Sequence, residues 1–185
     1  MRPSARLASL LSVAVALAGC ASAPPPAPTP PPPPAVQGPV QPGLDLQLLG
    51  GPRTRVGLGE PVRVAVSVER AASVYCYYEF NERHRRQIVR LYPNRFQPDP
   101  RLGSGRSVVV PGGDARFDVV PTGRGREKLV CVATLLDAPF PSVPAVARGP
   151  DLTPLKVRSA TGAAFEHVIL APRSSSVRVL EWQVP

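Results

Sequence analysis

The sequence predicts an all-β protein: an antiparallel β-sandwich of the immunoglobulin-like kind, behind a signal peptide and a disordered Pro-rich linker. Three observations predict it. From Leu44 to the C-terminus, apolar residues alternate with polar ones in run after run. Gly and Pro clusters break these runs at the short intervals typical of strands and tight turns. Of the 26 prolines in 185 residues, eleven fall between Pro24 and Pro42, in a composition that buries too little apolar surface to fold. The expected organisation is a signal peptide over 1–19, a tether over 20–43 and one sandwich domain over 44–185.

The N-terminus opens with Arg2 and Arg6, then runs apolar from Leu7 to Ala18. That run is short of the ~18 residues that cross a bilayer stably. A positive start, a short apolar middle and small residues at the end describe a secretory signal. The end, Leu17-Ala18-Gly19-Cys20, resembles the lipobox of bacterial lipoproteins. That resemblance implies a diacylglycerol on the Cys20 sulfur, cleavage before Cys20 and acylation of the new amino group. Several acyl chains are needed because a single chain binds a membrane only marginally. Ala21, where an Asp tends to retain such proteins in the inner membrane, implies the outer membrane with the domain facing the periplasm. A chain of Pro, Ala, Ser and Thr prefers polyproline II at ~3.1 Å per residue, so the tether could reach about 70 Å.

The strands follow in order. Leu44, Leu46 and Leu48 share one side before Gly50-Gly51-Pro52. Val62, Val64, Val66 and Val68 line one face of the cleanest alternation. Ser73 to Phe80 is a strand with Val74, Cys76, Tyr78 and Phe80 on one side and Tyr75, Tyr77 and Glu79 on the other. A polar turn over 81–85 returns into Gln87 to Tyr92 as a hairpin. Ser107 to Val110 and Ala115 to Val120 are short strands, and Glu127 to Leu136 is a long apolar one, expected to be central. From Asp137 to Arg173 the pattern weakens; a helical turn or two is expected at 151–156 or 163–168. Ser176 to Val184 reads as a last strand with Leu180, Trp182 and Val184 inward.

Several of these stretches carry further pattern. Val89-Arg90-Leu91-Tyr92-Pro93-Asn94 leads to Gly105 and Val109-Val110-Pro111, then to Pro121-Thr122-Gly123 and Glu127-Lys128-Leu129-Val130-Cys131-Val132-Ala133. Gly59-Glu60-Pro61-Val62 and Val74 to Phe80 supply the preceding strands. This order resembles DUF4384, a bacterial domain of unknown function, over about residues 56–136. The resemblance implies a compact β-sandwich, often attached to lipoproteins or to larger envelope and signalling proteins, and implies no reaction. One departure is Glu82-Arg83-His84-Arg85-Arg86, more basic than the turn usual there.

Chemistry is sparse. Cys76 and Cys131 lie on strands that the family pattern makes core, and an even pair in an oxidising periplasm favours a disulfide. Two separate buried thiols are the alternative. Only His84 and His167 could join them in a metal site, and neither has ligand spacing, so no metal is expected. Gly103-Ser104-Gly105 and Gly123-Arg124-Gly125 are weak as phosphate loops, because no lysine and no opening helix follow. No nucleophile motif supports a catalytic triad.

Charge is the remaining signal. The chain carries +9, and without Arg2 and Arg6 it carries +7. Nearly all of it is arginine, and seven arginines fall between Arg83 and Arg106. Guanidinium groups pair bidentately with carboxylate or phosphate. In the periplasm nucleic acid is excluded as a partner by location. The sequence therefore points to a non-catalytic binding or scaffolding module of an envelope complex, secretion- or cell-wall-associated, with Arg83, Arg85, Arg86, Tyr75 and Tyr77 as expected contacts. A structural lipoprotein touching anionic peptidoglycan is the alternative, and an enzyme of unknown activity ranks last. Beyond the acyl chains on Cys20, no cofactor is expected.

Overall fold

Residues 40–136 and 144–185 are described by the computed structural model. Cys20 and the tether up to Pro39 lie outside the described residues. Two antiparallel sheets form a sandwich, as the alternating runs predict. The smaller contains β1 (Leu44–Leu48), β2 (Val64–Val68) and β6 (Ser107–Val110), in the order β1-β2-β6. The larger contains β3 (Ala72–Glu82), β4 (Arg85–Tyr92), β7 (Gly125–Leu135) and β8 (Ser175–Val184), in the order β4-β3-β7-β8, with the short β5 (Arg101–Leu102) also on β3. Two helices follow β7: the single turn α1 (Ala145–Arg148) and α2 (Ala160–Leu170).

Strand period two sorts the side chains. On β3, Val74, Cys76 and Tyr78 face the smaller sheet; on β7, Leu129, Cys131 and Ala133 do the same. With Val64, Val66, Trp182 and Val184 they make the main core. Cys76 and Cys131 stand opposite each other across β3 and β7 and are joined by a disulfide. The apolar run of β7 is central, as expected, and covered on both faces. That burial is why it lacks polar alternation.

The other face of the larger sheet carries the largest departure from expectation. Tyr75 and Tyr77 do oppose Cys76, but they are 8% and 0% exposed. Helix α2 covers them, with Val130, Val132, Ala163 and Ala164 packed around. The expected role of Tyr75 and Tyr77 as surface contacts is therefore corrected: both are core. The helix forms where only a turn or two is expected. Ser159 caps it by accepting from Gly162 N at 2.9 Å. Its buried stripe is Ala160, Ala163, Ala164 and His167, at helical spacing. Small alanines and a histidine make that stripe faint in sequence, and small side chains are what let the helix lie close on the sheet.

Smaller differences concern edges. The segment 115–120 makes only one bridge, Val62 with Val119, in place of a strand, because Pro121 ends it before a ladder develops. Residues 151–156 are not helical. The β3–β4 turn is tighter than expected: pairing continues to Glu82 with Arg85 and leaves only Arg83 and His84 in the loop.

Candidate functional site: a basic rim at one end of the larger sheet

The two-residue loop sets the site. Arg83 and His84 both have positive φ, +46° and +66°. Hairpins with this turn favour Asn-Gly there, because those residues tolerate the left-handed region. An arginine and a histidine in its place cost on the order of 1 kcal/mol each. The turn thus holds two cationic or titratable side chains at a fixed tip against local preference.

A second segment meets this tip. Asn81 Nδ2 donates to Arg124 O and Arg126 O, both at 3.3 Å, and so binds the start of β7 to the hairpin. The approach needs Gly123: a Cβ there would sit 2.4 Å from Asn81 O. Arg83, His84, Arg85, Arg124 and Arg126 are all exposed. Arg55 is bridged to Gln183 on the far side of β8. Among the described residues none of these arginines makes an ion pair. Glu82 is the one acid on the turn itself.

Arg86 belongs to a different group. Its Nε lies 3.2 Å from Glu79 Oε1, while Lys128 Nζ is 3.5 Å from Glu79 Oε2. Glu79, 4% exposed, also accepts from Ala160 N at 2.8 Å. A carboxylate at a helix N-terminus is favoured by the orphan N–H groups and the helix dipole. Arg86 and Lys128 therefore neutralise the anion that pins α2, which leaves Arg86 a weaker candidate contact than Arg83 and Arg85. Arg124 and Arg126 were not singled out from sequence. Their signal was Gly123-Arg124-Gly125, which reads as a poor phosphate loop until β7 brings it beside the hairpin.

Two buried polar groups complete the inventory. Glu127 is 0% exposed inside the sandwich, where Tyr78 Oη donates to its Oε2 at 2.5 Å and Trp182 Nε1 at 3.3 Å. Burial pushes its carboxyl up, against the lowering effect of these donors and of Asn81 N–H. Its Oε1 has no partner among the described residues. A raised carboxyl contributes stability below its unfolded pKa, and that contribution is lost as pH rises through the folded value. Tyr78→Phe removes the nearer donor, so it is expected to lower unfolding free energy by about 2 kcal/mol at pH 7.5 and by less at pH 4.5. Urea midpoints at the two pH values check this; equal losses would mean that Glu127 is not ionised in the native state.

The second group is His167, 0% exposed beneath α2. Its Nε2 hydrogen-bonds Tyr77 Oη at 2.7 Å, and its ring lies 4.6 Å from that of Tyr75. Its Nδ1 has no partner among the described residues. Burial pushes its pKa down to about 4. The sandwich and the helix enclose both groups, and neither opens to solvent. Among the described residues, no three His, Cys, Asp or Glu side chains converge as metal ligands. His84 and His167 are accordingly far apart in role: one at the tip, one in the core.

The fold and rim define a β-sandwich domain with a cationic end formed by two turns distant in sequence. Residues 55–135 match the family model of DUF4384, a domain of unknown function. The match runs from the segment beside β8 through β7 and includes every rim arginine, while β1, both helices and β8 lie outside it. No curated protein and no solved structure matches the chain. Among the described residues no helix is long and apolar enough to cross a membrane.

Proposed function

We propose that the protein is a non-catalytic binding module of the bacterial envelope, which docks an acidic protein partner on its basic rim. In this reading Cys20 carries a diacylglycerol and an N-acyl chain, and the Pro-rich tether holds the domain away from the outer membrane on its periplasmic side. The carrying observation is the exposed set Arg83, Arg85, Arg124 and Arg126, free of ion pairs among the described residues and gathered by Asn81 and Gly123. Unpaired guanidinium groups on a braced strand end lose little freedom when they meet carboxylates, and they read such groups bidentately.

The test is charge reversal. Arg83→Glu, Arg85→Glu and Arg124→Glu together are expected to abolish recovery of a cross-linked envelope partner from cells producing the full chain. Thermal melting should stay within a few degrees, because exposed charge changes cost little. Recovery that rises as salt falls would accord with an electrostatic rim. An unchanged partner set would remove the rim from the function. Sedimentation with purified peptidoglycan that depends on the same arginines would replace the protein partner by anionic cell wall.

A further inference from the structure

A different part of the molecule carries a second site. At the side of the sandwich where β1 and β8 form the sheet edges, a cavity of about 990 Å³ opens between them. Its lining includes Leu46, Leu48, Leu49 and Leu180 together with Arg53 and Arg55. This volume is in the range of sites that take ligands.

The wall formed by β1 has free backbone. Leu49 N donates to Arg63 O at 2.9 Å, so the odd-numbered residues of β1 turn their N–H and C=O toward β2. In an antiparallel ladder the intervening residues turn theirs away. The N–H and C=O of Leu46 and Leu48 therefore point out of the sheet, and among the described residues no strand pairs with them. Edge strands are commonly protected by lysine, proline or a bulge. Strand β1 reads Leu-Asp-Leu-Gln-Leu, with an unbroken register on β2 and none of these devices.

We infer that this seam binds an extended peptide of a partner as an added strand on β1. The peptide would place alternate apolar side chains against Leu46, Leu48 and Leu180 and an acidic side chain toward Arg55. Backbone pairing supplies the affinity in this mode, and the pockets for alternate side chains supply the choice of sequence. Arg55 sets the charge: Arg53 is already paired with Glu60, whereas Arg55 has no ion pair among the described residues. Glu181 also lines the cavity and disfavours an acid beside it. The seam draws on β1 and β8, outside the family-matched segment, and is separate from the hairpin tip and the Arg124 turn.

The experiment is selection of displayed random peptides of about nine residues on the full chain, with binding of the enriched peptides then measured by fluorescence anisotropy. The expected consensus alternates apolar residues and contains at least one acid. Leu46→Pro removes an outward N–H and leaves the β1–β2 ladder intact, since proline is tolerated on the open side of an edge strand. It is expected to weaken binding roughly tenfold or more. Arg55→Glu, on an exposed side chain, is expected to do the same and covers the case in which Leu46→Pro fails to fold. The triple rim variant should bind the peptides unchanged, so failure here and failure of the rim are distinguishable. No enrichment, binding that survives both seam variants, or a β1-dependent dimer in sedimentation equilibrium would each overturn the inference.

Discussion

Replacing Cys76 and Cys131 together by alanine is expected to lower the unfolding free energy by about 4 kcal/mol. The bond joins positions 55 residues apart, so in the unfolded chain it closes a long loop and removes much of that chain's freedom. Both sulfurs lie fully buried between the sheets, and alanine adds a small loss of packing to the loss of the link. For a domain of this size such a loss lowers the melting temperature by roughly 10 °C. Urea unfolding of the oxidised protein and of the double variant measures the difference directly. Midpoints that agree within error would show that the link contributes nothing. Folding under reducing conditions should cost the wild-type chain a similar amount.

Acidification is expected to loosen the helix layer through His167. The groups packed against its ring are Tyr75 and Tyr77 from β3; Arg90 of β4 faces the tyrosines, and Glu166 precedes His167 on α2. None of them offers a carboxylate bonded to the imidazole, and burial holds its pKa at about 4 against 6.5 when exposed. The native state therefore keeps the ring neutral while the unfolded chain takes up a proton. The stabilisation is complete above about pH 6.5 and is lost progressively as pH falls toward about 4, by on the order of 3 kcal/mol in total. His167→Gln cannot titrate, so the difference in unfolding free energy between wild type and variant should shrink steadily across that window. A constant difference would mean that the ring gains no proton on unfolding. Amide exchange in α2 that rises with falling pH, ahead of exchange in β7, would locate the loosening in the helix.

Arg90 reinforces this layer from the other side. Its Nε donates to Pro93 O at 3.0 Å, and its guanidinium also bonds Ala147 O at the end of α1. Glu166 in turn accepts from Val146 N at 3.3 Å. The short helix is thus tied to β4 and α2 by side chains whose partners lie more than fifty and about twenty residues away. Nothing in the local pattern around Pro144 announces this.

Local signals determined most of the sandwich. Period-two alternation marked β1, β2, β3, β4 and β8, because each has one buried face and one that is wetter or differently covered. The unbroken apolar run of β7 marked a strand covered on both sides. Gly and Pro placed the turns, since those positions need a backbone that other residues adopt at a cost. The Cys76–Cys131 pair was legible because both positions fell on the inward side of strands that the family pattern made core.

Tertiary structure alone decided what covers the second face of the larger sheet. Tyr75 and Tyr77 alternate correctly in sequence, but alternation says only that they oppose Cys76. Whether that side meets water or a helix depends on a segment ninety residues onward, where His167 reaches Tyr77. The rim was half legible for the same reason. Arg83 and Arg85 announce themselves as neighbours in the chain, whereas Arg124 and Arg126 join them only because β7 lies beside β3 and Gly123 lets the backbones approach. A sequence records which side of a strand a residue takes; contacts across strands and layers arise from how distant segments pack, and packing is not a local property of the chain.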